Sequence, residues 1–211
     1  MDPYVTEDQQ VEAIKQWWKE NGTSIIVGMV LGLAIIFGMR TWNDWRAQNA
    51  EAASALYQSI EAALQKNQPL VVQSLSTRLL EEYPASIYAA LGALAHASVF
   101  VTQGDLVGAR GRLEWVIAQS SEPHIQGLAA LRLGYLLLEQ GDTARALTLA
   151  ASAASAGFQA GADELRGDVL RAQGDRKGAR TAYQAALAGL SAGSGVSSVL
   201  RLKIDDAGGE L

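Results

Sequence analysis

Residues 21–39 carry no charge, and the stretch is fenced by Lys19-Glu20 on one side and Arg40 on the other. Residues 25–39 are almost wholly apolar. As a helix rising about 1.5 Å per residue, residues 22–39 would cover about 27 Å, close to the thickness of bilayer hydrocarbon. Trp17 and Trp18 precede the run and Trp42 and Trp45 follow it. Four of the five tryptophans therefore stand where amphipathic rings settle, at the two headgroup levels. Three other readings fit less well. A buried core helix is usually shorter and has no paired tryptophan belts. A cleaved leader needs positive charge ahead of the run and small residues at the cut. Here residues 1–20 hold five acids against two lysines, and Phe37-Gly38-Met39-Arg40-Thr41 offers no such site. A helix lying on the membrane surface would show a charged face, and this one has none. The pattern predicts a single transmembrane helix over residues 22–40, after a short segment of residues 1–21.

The flanks do not orient it. Lys15 and Lys19 on one side balance Arg40 and Arg46 on the other, and a long C-terminal domain crosses largely regardless of its charge. Within the span, Gly28 and Gly32 form a G-x-x-x-G element that lets a second helix approach closely. Such spacing also arises by chance in apolar runs, so helix packing and simple tolerance of glycine both stay open.

Residues 41–211 differ in kind. They hold 14 of the 17 basic and 17 of the 22 acidic residues, alanine is abundant, and apolar residues recur at helical spacing without strand-like alternation. The expected fold class is all-α. Three turns repeat: Gln103-Gly104-Asp105, Gln140-Gly141-Asp142 and Gln173-Gly174-Asp175, with aspartates 37 and 33 residues apart. In each, glycine can end a helix in the left-handed conformation and aspartate can cap the next one. The alanine four residues beyond each aspartate (Ala109, Ala146, Ala179) leaves room for a neighbouring helix.

The flanks agree with a tetratricopeptide-like helix pair. Leu133, Gly134 and Leu137, then Ala146 and Ala153, take its large and small positions; Gly167 and Leu170, then Ala179, Tyr183 and Ala186, repeat them. The first unit is looser, with His96, Ala97 and Phe100 leading to Ala109, Leu113 and Val116. Pairs of this kind bury their apolar faces only by stacking, so residues 41–211 are expected to form a short α-solenoid. A long helix from the membrane through Leu64 and a second from Pro69 to about Tyr83 would open it. After a break at residues 191–195, a helix over 196–205 would close it, and residues 208–211 would fray.

No catalytic constellation emerges. The formal charge of −5 offers no surplus for nucleic acid, and the absence of cysteine excludes disulfides, thiolate nucleophiles and zinc–thiolate sites. His96 and His124 are the only histidines and share no metal-ligand spacing. Acid pairs such as Glu81-Glu82 and Asp163-Glu164 are adjacent in sequence, so their side chains diverge on a helix. No catalytic, cofactor or metal residues are assigned, and no small-molecule substrate. The inner face of the solenoid is the better candidate for function. Its projected residues are Leu94, Ser98 and Val101, then Leu131, Tyr135 and Leu138, then Glu164, Asp168 and Arg171. Such a face could accept a segment of another protein, or its apolar part could be covered by a terminal helix of this chain.

The whole chain resembles the YfgM-like ancillary subunits of the bacterial Sec translocon. The resemblance lies in Gln10-Val11-Glu12-Ala13-Ile14-Lys15-Gln16-Trp17-Trp18-Lys19-Glu20-Asn21-Gly22 and in the glycine-bearing anchor followed by Arg40-Thr41-Trp42-Asn43. Leu165-Arg166-Gly167-Asp168, Gly174-Asp175-Arg176-Lys177-Gly178-Ala179-Arg180 and Leu202-Lys203-Ile204 add to it. It implies a non-enzymatic, single-pass inner-membrane protein with a cytoplasmic N-terminus and a periplasmic repeat domain. It further implies association with SecYEG and with a PpiD-like membrane-anchored chaperone, and help in handing secretory proteins to periplasmic chaperones. The alternatives are a structural scaffold for envelope or division complexes, using the same repeats, and a regulator of the envelope stress response.

Overall fold

In the computed structural model, residues 7–190 and 196–208 are described. The expected break at 191–195 and residues 209–211 of the expected frayed end lie outside them. Among the described residues all regular structure is helical: α1 (Glu7–Gln65), α2 (Pro69–Glu82), α3 (Ile87–Thr102), α4 (Leu106–Gln119), α5 (Pro123–Glu139), α6 (Thr143–Ser155), α7 (Gln159–Ala172), α8 (Arg176–Ala188) and α9 (Val196–Gly208). The chain divides into two compact units, Met1–Ala50 and Glu51–Leu211.

The first unit is the leading part of α1. Its apolar side chains stand open, with Ile35, Ile36 and Phe37 at 60%, 62% and 65% exposure. A core helix of a water-soluble protein would have these residues covered, so the stretch fits a single-pass membrane anchor, whose backbone groups are all satisfied within the helix. Polar groups at its ends fold back on the same helix. Asn21 Nδ2 donates to the Trp17 carbonyl at 3.0 Å and Thr41 Oγ1 to the Phe37 carbonyl at 2.9 Å. Trp42 and Trp45 pair with ring centroids 5.3 Å apart.

The second unit begins with the last turns of α1, whose Ala53, Ile60 and Ala63 share a core cluster with Val72 and Leu79 of α2; α3/α4, α5/α6 and α7/α8 follow as pairs, and α9 packs on α8. The turns explain why the chain breaks where it does. Gly104, Gly141 and Gly174 have φ of 76°, 81° and 86°, a region glycine enters without steric cost. The next aspartate then caps the following helix: Asp105 accepts from Gly108 N at 2.8 Å, Asp142 from Arg145 N at 3.1 Å and Asp175 from Gly178 N at 2.9 Å. Two further turns have the same backbone without the Gln-Gly-Asp signature. Asn67 (φ 51°) joins α1 to α2 and Gly157 (φ 96°) joins α6 to α7. Neither Gln68 nor Phe158 supplies a side-chain cap there.

Packing follows the large and small pattern. Tyr183, fully buried on α8, lies against Gly167 of α7, where a Cβ would run into its ring. The core is a chain of clusters rather than one centre, as stacked pairs require. Ile60, Val72 and Leu79 form the first, Leu113, Leu133 and Leu137 the second, Ala150, Leu165 and Val169 the third, and Tyr183 with Leu200 the last. The closing helix extends to Gly208, beyond the expected residue 205, and the extra turn places Ala207 in the last cluster. In the looser first repeat, His96 is 2% exposed and stacks on Phe100 with centroids 4.3 Å apart.

Candidate functional site

The first helices of successive pairs line one face of the repeat unit, and three neighbouring hollows run along it. A pocket of about 380 Å³ lies between α3 and α5. Ala97, Leu113 and Leu136 form its floor, with Val101 and Leu106 on its wall. Ser98 and Thr102 also border a smaller hollow of about 150 Å³ toward Leu64, Asn67 and Gln103. Tyr135 and Glu139 are shared with a third hollow of about 530 Å³, reached past Leu138, Asp168, Arg171 and Lys203. The shared residues make this one continuous groove, from the end of α1 to α9.

The residues projected onto this face do not all reach it. Ser98, Val101 and Tyr135 line the middle pocket, and Leu138, Asp168 and Arg171 join Tyr135 in the third hollow. Leu94 does not line the groove: it is 4% exposed within the α3–α5 core. Leu131 packs into the α5–α7 core, against Gly161. Both lie one turn before the residues of the same register that do line it, Ser98 on α3 and Tyr135 on α5. On α5 it is Arg132, not Leu131, that faces the groove. Arg132 and Glu139 are not among the projected residues, although two charges seven residues apart, the only ones on a largely apolar helix, mark a solvated strip. Gly28 and Gly32, in the first unit, have open space where a Cβ would stand.

Glu164 and Asp168 are held by this chain's own closing helix. Lys203 Nζ of α9 donates to Glu164 Oε1 at 2.7 Å and to Asp168 Oδ2 at 2.8 Å. The Tyr183 hydroxyl donates to Asp168 Oδ1 at 2.9 Å, and Arg171 pairs with Asp206 at 3.4 Å. Burial alone would lower the Lys203 pKa; the bonds to Asp168 and Glu164 outweigh it and hold the ammonium above the ordinary lysine value. Burial, then the bond to Asp168, raises the Tyr183 phenol, while burial followed by the charges of Glu164 and Asp168 raises that of Tyr135. The charged end of the groove is therefore covered from within, and the apolar middle is open. Lys203, 35 residues from Asp168 in sequence, is a contact that only the fold reveals.

Elsewhere, burial and then the nearby Arg112 charge push the His96 pKa from 6.5 down to about 4, and neither ring nitrogen has a hydrogen-bond partner among the described residues. Among the described residues no three His, Cys, Asp or Glu side chains gather as a metal site. What the geometry can do is present apolar surface, hydroxyls and charge along a groove.

A stack of helix pairs with an open groove defines a helical-repeat protein of the interaction type, and its bare apolar helix fits a single-pass membrane anchor. Residues 15–209 match the family described as tetratricopeptide repeat-like domain. The chain is 29% identical over 206 residues to the ancillary SecYEG translocon subunit of Escherichia coli (strain K12), covering 98% of each chain. It is 30% identical over 206 residues to the subunit of that name from Neisseria gonorrhoeae, covering 97% of this chain and 99% of the other. With the Haemophilus influenzae subunit it shares 28% over 182 residues, 86% of this chain and 89% of that one. The chain belongs to the family of tetratricopeptide-like ancillary SecYEG translocon subunits, a protein-interaction family rather than an enzyme family.

Proposed function

We propose that this protein is a non-enzymatic accessory of the Sec translocon, which helps pass emerging secretory polypeptides to periplasmic chaperones. In this reading residues 1–21 are cytoplasmic, residues 22–40 cross the inner membrane, and residues 41–211 stand in the periplasm. The partners are SecYEG and a membrane-anchored chaperone of the PpiD-like, prolyl-isomerase-related kind. The observation that carries the reading is the pairing, within one chain, of a bare apolar helix of membrane length with a repeat unit whose groove is open in its apolar middle. The anchor tethers the repeat unit to the membrane, and relatives across nearly the full length are translocon subunits by name. Gly28 and Gly32 offer a second docking face inside the bilayer, where small residues let helices approach.

Two measurements test this. A reporter active only in the periplasm, fused after Leu211, should be active; activity of a cytoplasmic reporter at that point would overturn the orientation. Gentle detergent extraction of the intact protein should co-purify SecY, SecE and SecG, and a variant with a substituted anchor should recover less. Recovery of envelope or division components without any Sec subunit would replace the translocon reading with that of a scaffold.

A further inference from the structure

The middle of the groove holds two charges that form no ion pair among the described residues, although Arg132 lies near enough to Tyr57 to act on its phenol. Arg132 and Glu139 both line the pocket between α3 and α5 and both are exposed. Among the described residues neither takes part in an ion pair, whereas the charges of the neighbouring hollow are paired: Glu164 and Asp168 with Lys203, Arg171 with Asp206. Seven residues apart on one helix, Arg132 and Glu139 stand about 10 Å from each other along its axis. Between them the pocket is apolar, and Val101 on its wall is 49% exposed, high for valine in a finished core.

The hydroxyls on the wall add a direction to this. Ser98 Oγ donates to the Ala95 carbonyl and Thr102 Oγ1 to the Val99 carbonyl, both at 2.7 Å. With their protons engaged inside α3, the two oxygens face the groove as acceptors. The helices of a folded partner have few backbone N–H groups to offer them, but an extended chain has one at most residues.

We propose that this pocket binds an extended polypeptide segment with an acid and a base two residues to either side of an apolar residue, acid–x–apolar–x–base in one of the two chain directions. The apolar side chain enters beside Val101 and Leu136, the acid meets Arg132 and the base meets Glu139. In an extended chain alternate side chains share a face and rise about 3.3 Å per residue, so the acid and base stand about 13 Å apart, within reach of the two long side chains on α5. The inference rests on the reading of the repeat unit as a protein-interaction module and supplies the chemistry of what it holds.

The test uses the full chain in detergent micelles and fluorescent ten-residue peptides whose centres read Glu-x-Leu-x-Lys, Lys-x-Leu-x-Glu or Lys-x-Leu-x-Lys. One of the two mixed peptides should bind more tightly than the dilysine peptide. Val101→Asp, at an exposed site, should weaken that binding about tenfold. Arg132→Glu should weaken the mixed peptide about fivefold and strengthen the dilysine peptide by a similar factor, a reversal that misfolding cannot produce. Equal binding of mixed and dilysine peptides, or no reversal with Arg132→Glu, overturns the proposal. So does self-association of the protein that Val101→Asp abolishes, because the groove would then belong to a second copy. Sec co-purification of the unmodified protein is read separately. Sec subunits recovered without peptide binding remove the groove proposal alone; the predicted peptide pattern without Sec subunits removes the translocon reading alone.

Discussion

The two ends of the repeat unit are built differently. At the C-terminal end the polar groups are closed on one another: Lys203, Glu164, Asp168 and Tyr183 form one network over a fully buried ring. Toward the N-terminal end, from the middle of the groove back to α2, Val101 stands exposed, Arg132 and Glu139 have no ion-pair partner among the described residues, and His96 is buried with both ring nitrogens unsatisfied. A solenoid needs a cap where stacking stops, and α9 provides it, burying Leu200 and Ala207. The difference teaches that the closed end serves stability and the open end serves recognition. Substitutions at the first should therefore lower stability, and those of groove-lining residues at the second should lower binding.

The largest effect is expected at the closed end. Tyr183→Ala should cost ~4 kcal/mol by removing a buried aromatic ring, measured by urea unfolding of the full chain in micelles. Gly167→Ala, which drives a methyl group into that ring, should cost ~2 kcal/mol. If either left stability unchanged, the closed end would not be the rigid one.

His96 sharpens the comparison by pH. Its pKa in the folded protein, about 4, lies below the ordinary 6.5. Between those values the unfolded chain binds a proton that the folded one refuses, so stability is fully present above pH 6.5 and falls as the pH drops toward 4. His96→Leu should be as stable as the parent at pH 7 or more so, since it removes two unsatisfied buried atoms, and should lose less on acidification. An identical acid slope in parent and variant would refute this.

Lys203→Met comes next. It leaves Glu164 and Asp168 facing each other without their shared cation, and should cost ~2 kcal/mol while leaving the middle pocket intact. A loss of peptide binding equal to that of Val101→Asp would show that the two ends are not separable.

How much of this could be read in advance depends on the range of the interaction. The repeated turns were legible because their logic is local: Gly141 needs a positive φ and Asp142 reaches a backbone N–H three residues on. The small positions were legible for a similar reason, since Gly134 and Gly167 fit a spacing that Leu165 and Tyr183 later explain. The groove register was not. Leu94 and Leu131 are as apolar as Val101 and Leu138, and core and groove select the same residue type, so the pattern does not show where along one helix face the core ends and the groove begins. Nor was the closure of the charged end, because Lys203 meets Glu164 across 39 residues. The α6–α7 turn escaped because Phe158 stands where the other turns have aspartate.

The smallest effects concern those turns, and they test whether the first helix pair is a repeat like the rest. Asp105→Ala, Asp142→Ala and Asp175→Ala should each cost ~1 kcal/mol, the ordinary worth of a helix N-cap. The α1–α2 turn has the same backbone form, with Asn67 at φ 51° and Gln68 at φ −110°, ψ 74° in place of the aspartate, but no side-chain cap. The Gln68 carbonyl already accepts from Val71 N and Val72 N at 3.1 and 3.2 Å, as a capping position does. An aspartate there would have the Val71 N–H within reach, three residues on, as Asp105 has that of Gly108. Gln68→Asp should therefore stabilise the full chain by ~0.5 kcal/mol in urea unfolding, with no change in helix content. A loss instead of a gain would mean that the α1–α2 turn only imitates the repeat, and that the stack begins at α3.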